Sequence, residues 1–174
     1  MGTHAMSGDE ARALASELAA LSLEDAAPEE LVLFPEVEEE FHRDPEALLR
    51  ARGRDEAVGF GLDVAMLTPY ALAVVVPVIQ FLASVVQDAA KEEVRTSVSD
   101  AIRRLFKRGP NVDADGAADD AAAGQTPPAP ALALTPDQAR TVRQTAFDQA
   151  RGLGVDETRA GLLADSLVGR LVVG

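Results

Sequence analysis

The chain has 174 residues, a formal net charge of −13 and 47% hydrophobic residues, but only 4% aromatic ones. This length suits one domain with a small appendage. The acidic charge argues against a nucleic-acid-binding protein, because phosphates attract basic surfaces. The chain has no cysteine, which excludes disulfides and thiolate metal sites. A core rich in Ala, Leu and Val favours helices packed on helices, and so an all-α fold.

The first residues contain no apolar stretch of the kind that a secretory signal requires. We interpret residues 1–8 as a disordered remnant of an expression tag. The main helical domain is then expected to span residues 9–108. A start of this kind favours a cytoplasmic protein, or one attached to a membrane from the cytoplasmic side.

Helix starts are marked by capping side chains that precede proline, whose missing N–H costs nothing in the first turn of a helix. Asp44, Thr68 and Thr135 stand in this position. From these starts and the apolar spacing, helices are predicted at 9–22, 36–42, 45–52, 69–107, 136–151 and 157–172.

The stretch 35–46 gathers five Glu and one Asp around His42. Carboxylates beside a histidine can hold a metal ion or transfer protons, and Glu38 and His42 share a helical face. A single pair at this spacing is also a common surface contact, and the sequence offers no Ser/His/Asp set and no phosphate loop. We therefore expect an acidic, solvated face with Val37 and Phe41 turned inward, and neither enzyme activity, nor a cofactor, nor a metal ion.

Residues 64–87 contain no charged side chain. As a helix they would extend about 36 Å, enough to cross a hydrocarbon core of about 30 Å. Three interpretations stay open: a central helix buried on all sides in a soluble bundle, which we favour, a membrane span, and a segment that inserts into a bilayer only when triggered. The residues expected in the protein core or the membrane are Leu67, Leu72, Val75, Val76, Ile79 and Leu82. In the third case Gly59, Gly61 and Pro77 would serve as a hinge.

The second half of the predicted helix 69–107 is amphipathic. A continuous helix of this length would run about 58 Å, too long for a compact domain, and Pro77 should kink or break it. The packing face of the second half is predicted to comprise Val94, Val98, Ile102, Leu105 and Phe106.

Small residues, Asp and Pro dominate residues 109–134, which we predict to be a disordered linker. Residues 111–116 match the first half of a calcium loop, but Ala122 stands where that loop requires a bidentate Glu. No calcium sensor is expected.

Residues 135–174 are predicted to form a helical hairpin with an apolar face that includes Phe147, Leu163, Leu167 and Leu171. A hairpin this small rarely stands alone. It should dock onto the main domain, self-associate or bind a partner.

Together these features predict a helical bundle around one long apolar helix, then a linker and a small helical hairpin. The function that fits best is that of a non-enzymatic interaction protein, an adaptor or scaffold with a tethered C-terminal recognition module. Its expected partners are other proteins and copies of itself. The alternative is a membrane-associated or membrane-inserting protein that acts through residues 64–87.

Overall fold

The structure, a computed structural model, describes residues 6–55, 66–89, 97–106 and 133–173. Over these ranges the chain is all-α, as the sequence predicts. The elements, in chain order, are α1 (Gly8–Ala26), a 3-10 helix (Pro28–Val32), α2 (Phe34–Arg43), α3 (Pro45–Asp55), α4 (Thr68–Ala89), α5 (Val98–Leu105), α6 (Pro136–Gly152) and α7 (Glu157–Gly169).

The helix α1 begins earlier than expected. The Ser7 hydroxyl accepts a hydrogen bond from the Glu10 amide at 3.2 Å, and the Glu10 carboxylate accepts one from the Ser7 amide at 2.8 Å. This reciprocal capping box satisfies two of the N–H groups that a helix start leaves unpaired. Met6 packs half-buried against the core. Ser7 and Gly8, at the end of the predicted tag remnant 1–8, thus take part in the start of α1.

The apolar helix α4 is the centre of the bundle. It contacts α1, α2, α3, α5 and α6, and its inward side chains, such as Val75 and Leu82, are fully buried. It is not buried on all sides, however. An exposed stripe runs along it at helical spacing and comprises Val76, Gln80, Ser84 and Gln87. The polar side chains of the apolar run thus face solvent, because the surrounding helices leave one side of α4 open.

Pro77 does not break the apolar helix, which continues through it from Thr68 to Ala89. Proline removes the hydrogen bond to the carbonyl four residues earlier. Both Pro77 and Ala73 are half-buried beside the exposed stripe, where water can satisfy the freed carbonyl of Ala73. The break that the sequence allowed for is avoided because the defect lies at the solvent side of the helix.

A separate helix, α5, carries the amphipathic stretch. Ser97 caps it, accepting a hydrogen bond from the Asp100 amide at 3.1 Å. The predicted single helix 69–107 is therefore wrong at this point, because Ser97 starts a new helix. Residues 90–96 and 107–132 lie outside the described residues, and with them Val94 and most of the predicted linker. The expected turn 56–65, with Gly59 and Gly61, lies outside them as well.

The start of α4 is held by a buried carboxylate from the 3-10 helix. Glu30 is only 5% exposed and accepts hydrogen bonds from the Leu67 amide at 2.7 Å and the Thr68 amide at 2.8 Å. The Thr68 hydroxyl donates to the same carboxylate at 2.7 Å. Thr68, expected to cap the helix with its own side chain, instead helps to bind Glu30.

The C-terminal hairpin docks onto the rest of the bundle, which is the first of its three expected outcomes. α7 packs on α1, and α6 packs on α4. Leu163, Leu167 and Leu171 are fully buried and belong to the same hydrophobic cluster as the core of α4, while Phe147 is half-buried against it. Apolar surface from both ends of the chain is thus buried in one core.

The described residues on either side of 107–132 pair with the two edges of one short segment. Phe106 forms an antiparallel bridge with Leu171, and Leu134 a parallel bridge with Val173. Between them the Val172 amide donates to the Leu105 carbonyl, and the Val172 carbonyl accepts from the Leu134 amide, both at 2.8 Å. Leu134, predicted to end the linker, is 1% exposed and lies in the core.

Candidate docking groove

An open groove of about 310 Å³ lies between α1, the junction of α2 with α3, and α4. Three helical segments meet there without closing. The described residues that line it are Ala11, Arg12, Ala15, Phe41, His42, Pro45, Leu72, Val76, Ile79 and Gln80.

The floor of the groove is apolar because small side chains on α1 face large ones on α4. Ala11 and Ala15 stand one turn apart on α1, so their methyl groups leave space above Leu72 and Ile79. Val76 is 42% exposed, whereas its neighbours Val75 and Val78 are fully buried. The exposed stripe of α4 therefore begins in the groove with an aliphatic side chain.

The α2–α3 junction forms the third wall. The Asp44 carboxylate accepts a hydrogen bond from the Ala47 amide at 2.9 Å, and the Asp44 amide donates to the Glu40 carbonyl at 3.0 Å. Asp44 thus ends one helix and starts the next, as the sequence predicts. This turn places Phe41 and His42 on one side of the groove and Pro45 at its end.

A polar trio lies at the His42 side of the groove. The Nε2 atom of His42 is 3.3 Å from the Ser16 hydroxyl oxygen and 3.6 Å from a Glu38 carboxylate oxygen. The sequence indicated the Glu38–His42 pair, and the fold adds Ser16 from α1. In a catalytic triad the serine and the carboxylate bind different ring nitrogens, so that the carboxylate orients the base. Here both approach the same nitrogen.

The surroundings of Ser16 do not suit nucleophilic catalysis either. Ser16 lies in the middle of α1, where backbone N–H groups are used by the helix and are not available as an oxyanion hole. The trio is best described as a polar contact that ties α2 to α1 at the edge of the groove.

The charge of the groove differs from that of the whole chain. Arg12 is the charged residue among those that line it, and no Asp or Glu is among them. The Arg12 side chain is 65% exposed, and its nearest recorded carboxylate, Asp9, is 98% exposed and 4.0 Å away. A basic rim therefore borders an apolar floor in a protein of net charge −13.

Most of the apolar residues singled out from the sequence lie in the core and not in the groove. Among those described, the buried ones are Leu67, Leu72, Val75, Ile79, Leu82, Val98, Ile102, Leu105, Phe106, Leu163, Leu167 and Leu171. Leu72, Val76 and Ile79 also line the groove. Sequence reasoning missed Ala11, Arg12 and Ala15, which lie within the predicted helix 9–22 but carry no signal of their own.

A membrane span and a metal site are two further possibilities for the same described residues. In them α4 is the helix that is long and apolar enough to cross a membrane, and 67% of its most apolar window is buried inside the protein. No cluster of three His, Asp or Glu suited to a metal ion occurs among those residues.

The arrangement is thus an open, mostly apolar groove without a recognisable catalytic constellation among the described residues. No protein-family model, no curated protein and no solved structure matches the chain.

Proposed function

We propose that this chain is a non-enzymatic helical interaction protein, an adaptor or scaffold, that docks a protein partner in the groove between α1, α2–α3 and α4. The observation that carries this proposal is the apolar floor, where Val76 remains 42% exposed on the most buried helix of the bundle. A groove of about 310 Å³ has room for one or two large side chains of a partner. Interfaces depend most on such anchors in desolvated pockets.

The charge and polar contacts of the groove support binding in preference to catalysis. Ser16 and Glu38 approach the same nitrogen of His42, so the general base has no separate orienting carboxylate. A polar rim around an apolar centre is the usual anatomy of a protein interface.

We place recognition in the groove and not in the C-terminal hairpin. The apolar residues of the hairpin that were expected to bind a partner, Leu163, Leu167 and Leu171, are fully buried in the common core. They could meet a partner only if α6 and α7 separated from α1 and α4. In this proposal the hairpin supports the two helices that shape the groove.

A photo-crosslinking amino acid placed at Val76 tests the proposal in the cells that make the protein. The matched control is the same group at Leu162 on α7, which is 45% exposed against 42% for Val76. We expect a specific protein, or a second copy of this chain, to be captured from position 76 and not from position 162. Equal capture from both positions would contradict the proposal.

The captured protein then allows a quantitative test with purified components. Val76→Asp should weaken binding by at least about tenfold, because it places a charge against an apolar anchor. Leu162→Asp should leave the dissociation constant unchanged. Both residues are exposed, so neither substitution should unfold the protein.

The alternative function is membrane association through residues 64–87. It is favoured by α4, which meets the length and hydropathy required of a span. The burial of its inward face and the polar side chains Gln80, Ser84 and Gln87 on its open stripe support a helix in the core of a soluble protein instead. Flotation with liposomes distinguishes the two, as set out in the Discussion.

A further inference from the structure

We infer that the partner segment presents an acidic side chain beside its apolar anchor, where the carboxylate can reach Arg12. This inference rests on the proposed docking function and deepens it. It follows from one relationship: Arg12 stands at the rim of an apolar groove that has no carboxylate among its described lining residues.

The guanidinium of Arg12 is weakly held by the chain itself. Its recorded partner, Asp9, lies 4.0 Å away and is 98% exposed, and exposed ion pairs of this kind contribute little. The pair with the same i, i+3 spacing on α6 is much closer. There the Arg140 guanidinium lies 2.5 Å from the Asp137 carboxylate. An incoming carboxylate can therefore displace Asp9 at small cost and form two parallel hydrogen bonds with the guanidinium.

The other polar groups of the groove do not offer the same charge. His42 already contacts Ser16 and Glu38 through Nε2, and Gln80 is neutral. Glu38 itself is 31% exposed and does not line the groove. The local attraction for an acidic residue therefore comes from Arg12.

Arg12 and the apolar lining define the chemistry that the partner needs. Arg12 lies on the same helix as Ala11 and Ala15, which also line the groove. Residues three or four apart on a helix face the same side. A helical peptide with Leu at one position and Glu at i+3 or i+4 therefore presents an apolar anchor and a carboxylate on one face, the two groups that the groove can bind.

The test uses the full chain and two synthetic helical peptides that differ at one position. Both carry a Leu anchor, and one turn later one has Glu and the other Lys. Binding is measured by NMR from the amide shifts of Ala15, Val76 and Ile79. We expect the Glu peptide to bind about three- to tenfold more tightly at low salt, with the difference shrinking as salt screens the pair.

Two variants separate the charge effect from docking itself. Arg12→Glu should reverse the preference, and Arg140→Glu, on α6 and with a similar exposed i, i+3 pair, should leave it unchanged. Equal binding of both peptides, a preference for Lys, or an unchanged preference in Arg12→Glu would overturn the inference while leaving docking intact. If neither peptide shifts the groove residues, the proposed docking function fails as well.

Discussion

The carboxylate of Glu30 and the backbone and side chain of Thr68 are joined by two hydrogen bonds, of 2.8 and 2.7 Å, across 38 positions of sequence. The charge is 5% exposed, so it has lost most of its hydration. It is compensated by the amide donors at the start of α4 and by the positive end of the helix dipole. This contact fixes where the central helix begins.

Glu30→Gln should lower the free energy of unfolding by about 2–3 kcal/mol, because buried amide donors lose a charged acceptor. Urea denaturation followed by circular dichroism measures the change. Glu29→Gln, at the exposed neighbouring position, is the control and should have almost no effect. If both variants lost equal stability, the carboxylate of Glu30 would not be the group that holds α4.

Arg170→Lys should destabilise the junction between α7 and α1. The guanidinium is 13% exposed and binds both oxygens of Asp25 at 2.6 Å, with Glu24 at 2.9 Å. Lysine cannot form this fork, so we expect a loss of about 1–2 kcal/mol in the free energy of unfolding. Arg143→Lys, in the more exposed pair with Asp165, should cost less, and a larger loss there would contradict this ranking.

The same ion pair should not respond to pH in the neutral range. Its hydrogen bond to Asp25 raises the pKa of the Arg170 guanidinium above the ordinary value. A raised pKa means that the stabilisation is complete below the ordinary value and is lost only as pH rises beyond it. The stability difference between wild type and Arg170→Lys should therefore stay constant across neutral pH.

Replacement of residues 107–132 by a short Gly/Ser turn should preserve the fold. Leu105 and Leu134 bind the two sides of Val172, so the turn has to span only about two strand spacings, or roughly 10 Å. Shortening the loop reduces the entropy of closure, and stability should rise by about 1 kcal/mol. A folded NMR spectrum with unchanged core shifts is the expected result, and an unfolded protein would show that the segment contributes to the core.

Ile102→Asp should unfold the protein, because Ile102 is fully buried on the inward face of α5 and an unpaired buried charge is strongly destabilising. Arg103→Asp should cost no more than about 1 kcal/mol. Arg103 is 40% exposed and lies 3.1 Å from Glu17 and 3.8 Å from Asp100, so this substitution removes two partly exposed ion pairs, each of which contributes little. Thermal denaturation compares the two, and equal losses would mean that the register of α5 is wrong.

Val75→Lys distinguishes the soluble core from a membrane span. Val75 is fully buried, so the substitution should abolish folding, whereas Gln80→Lys on the exposed stripe should be tolerated. Wild-type protein should remain in the aqueous fraction and fail to float with anionic liposomes at neutral pH. Flotation of the wild type, together with a folded Val75→Lys variant that no longer floats, would favour the membrane alternative.

The sequence alone was sufficient for most of the helices, because their signals are local, although it joined α4 and α5 into one. Thr135 caps α6 as predicted, with the Gln138 amide 3.2 Å from the threonine hydroxyl, and Asp44 caps α3. The inward face of α5 was also predictable, since Ile102 and Leu105 follow the helical repeat and are buried. Residues a few positions apart determine such features whatever the rest of the chain does.

Only the tertiary structure decided which side of α4 stays open, and with it the groove. Val76 and Val75 are adjacent and equally apolar, yet one lines the groove and the other is fully buried. The burial of Glu30 beneath Thr68 and the pairing of Leu134 with Val173 also join residues far apart in sequence. These contacts depend on how the helices pack against each other. Whether one face of a helix is buried depends on the neighbouring helices as much as on its own side chains.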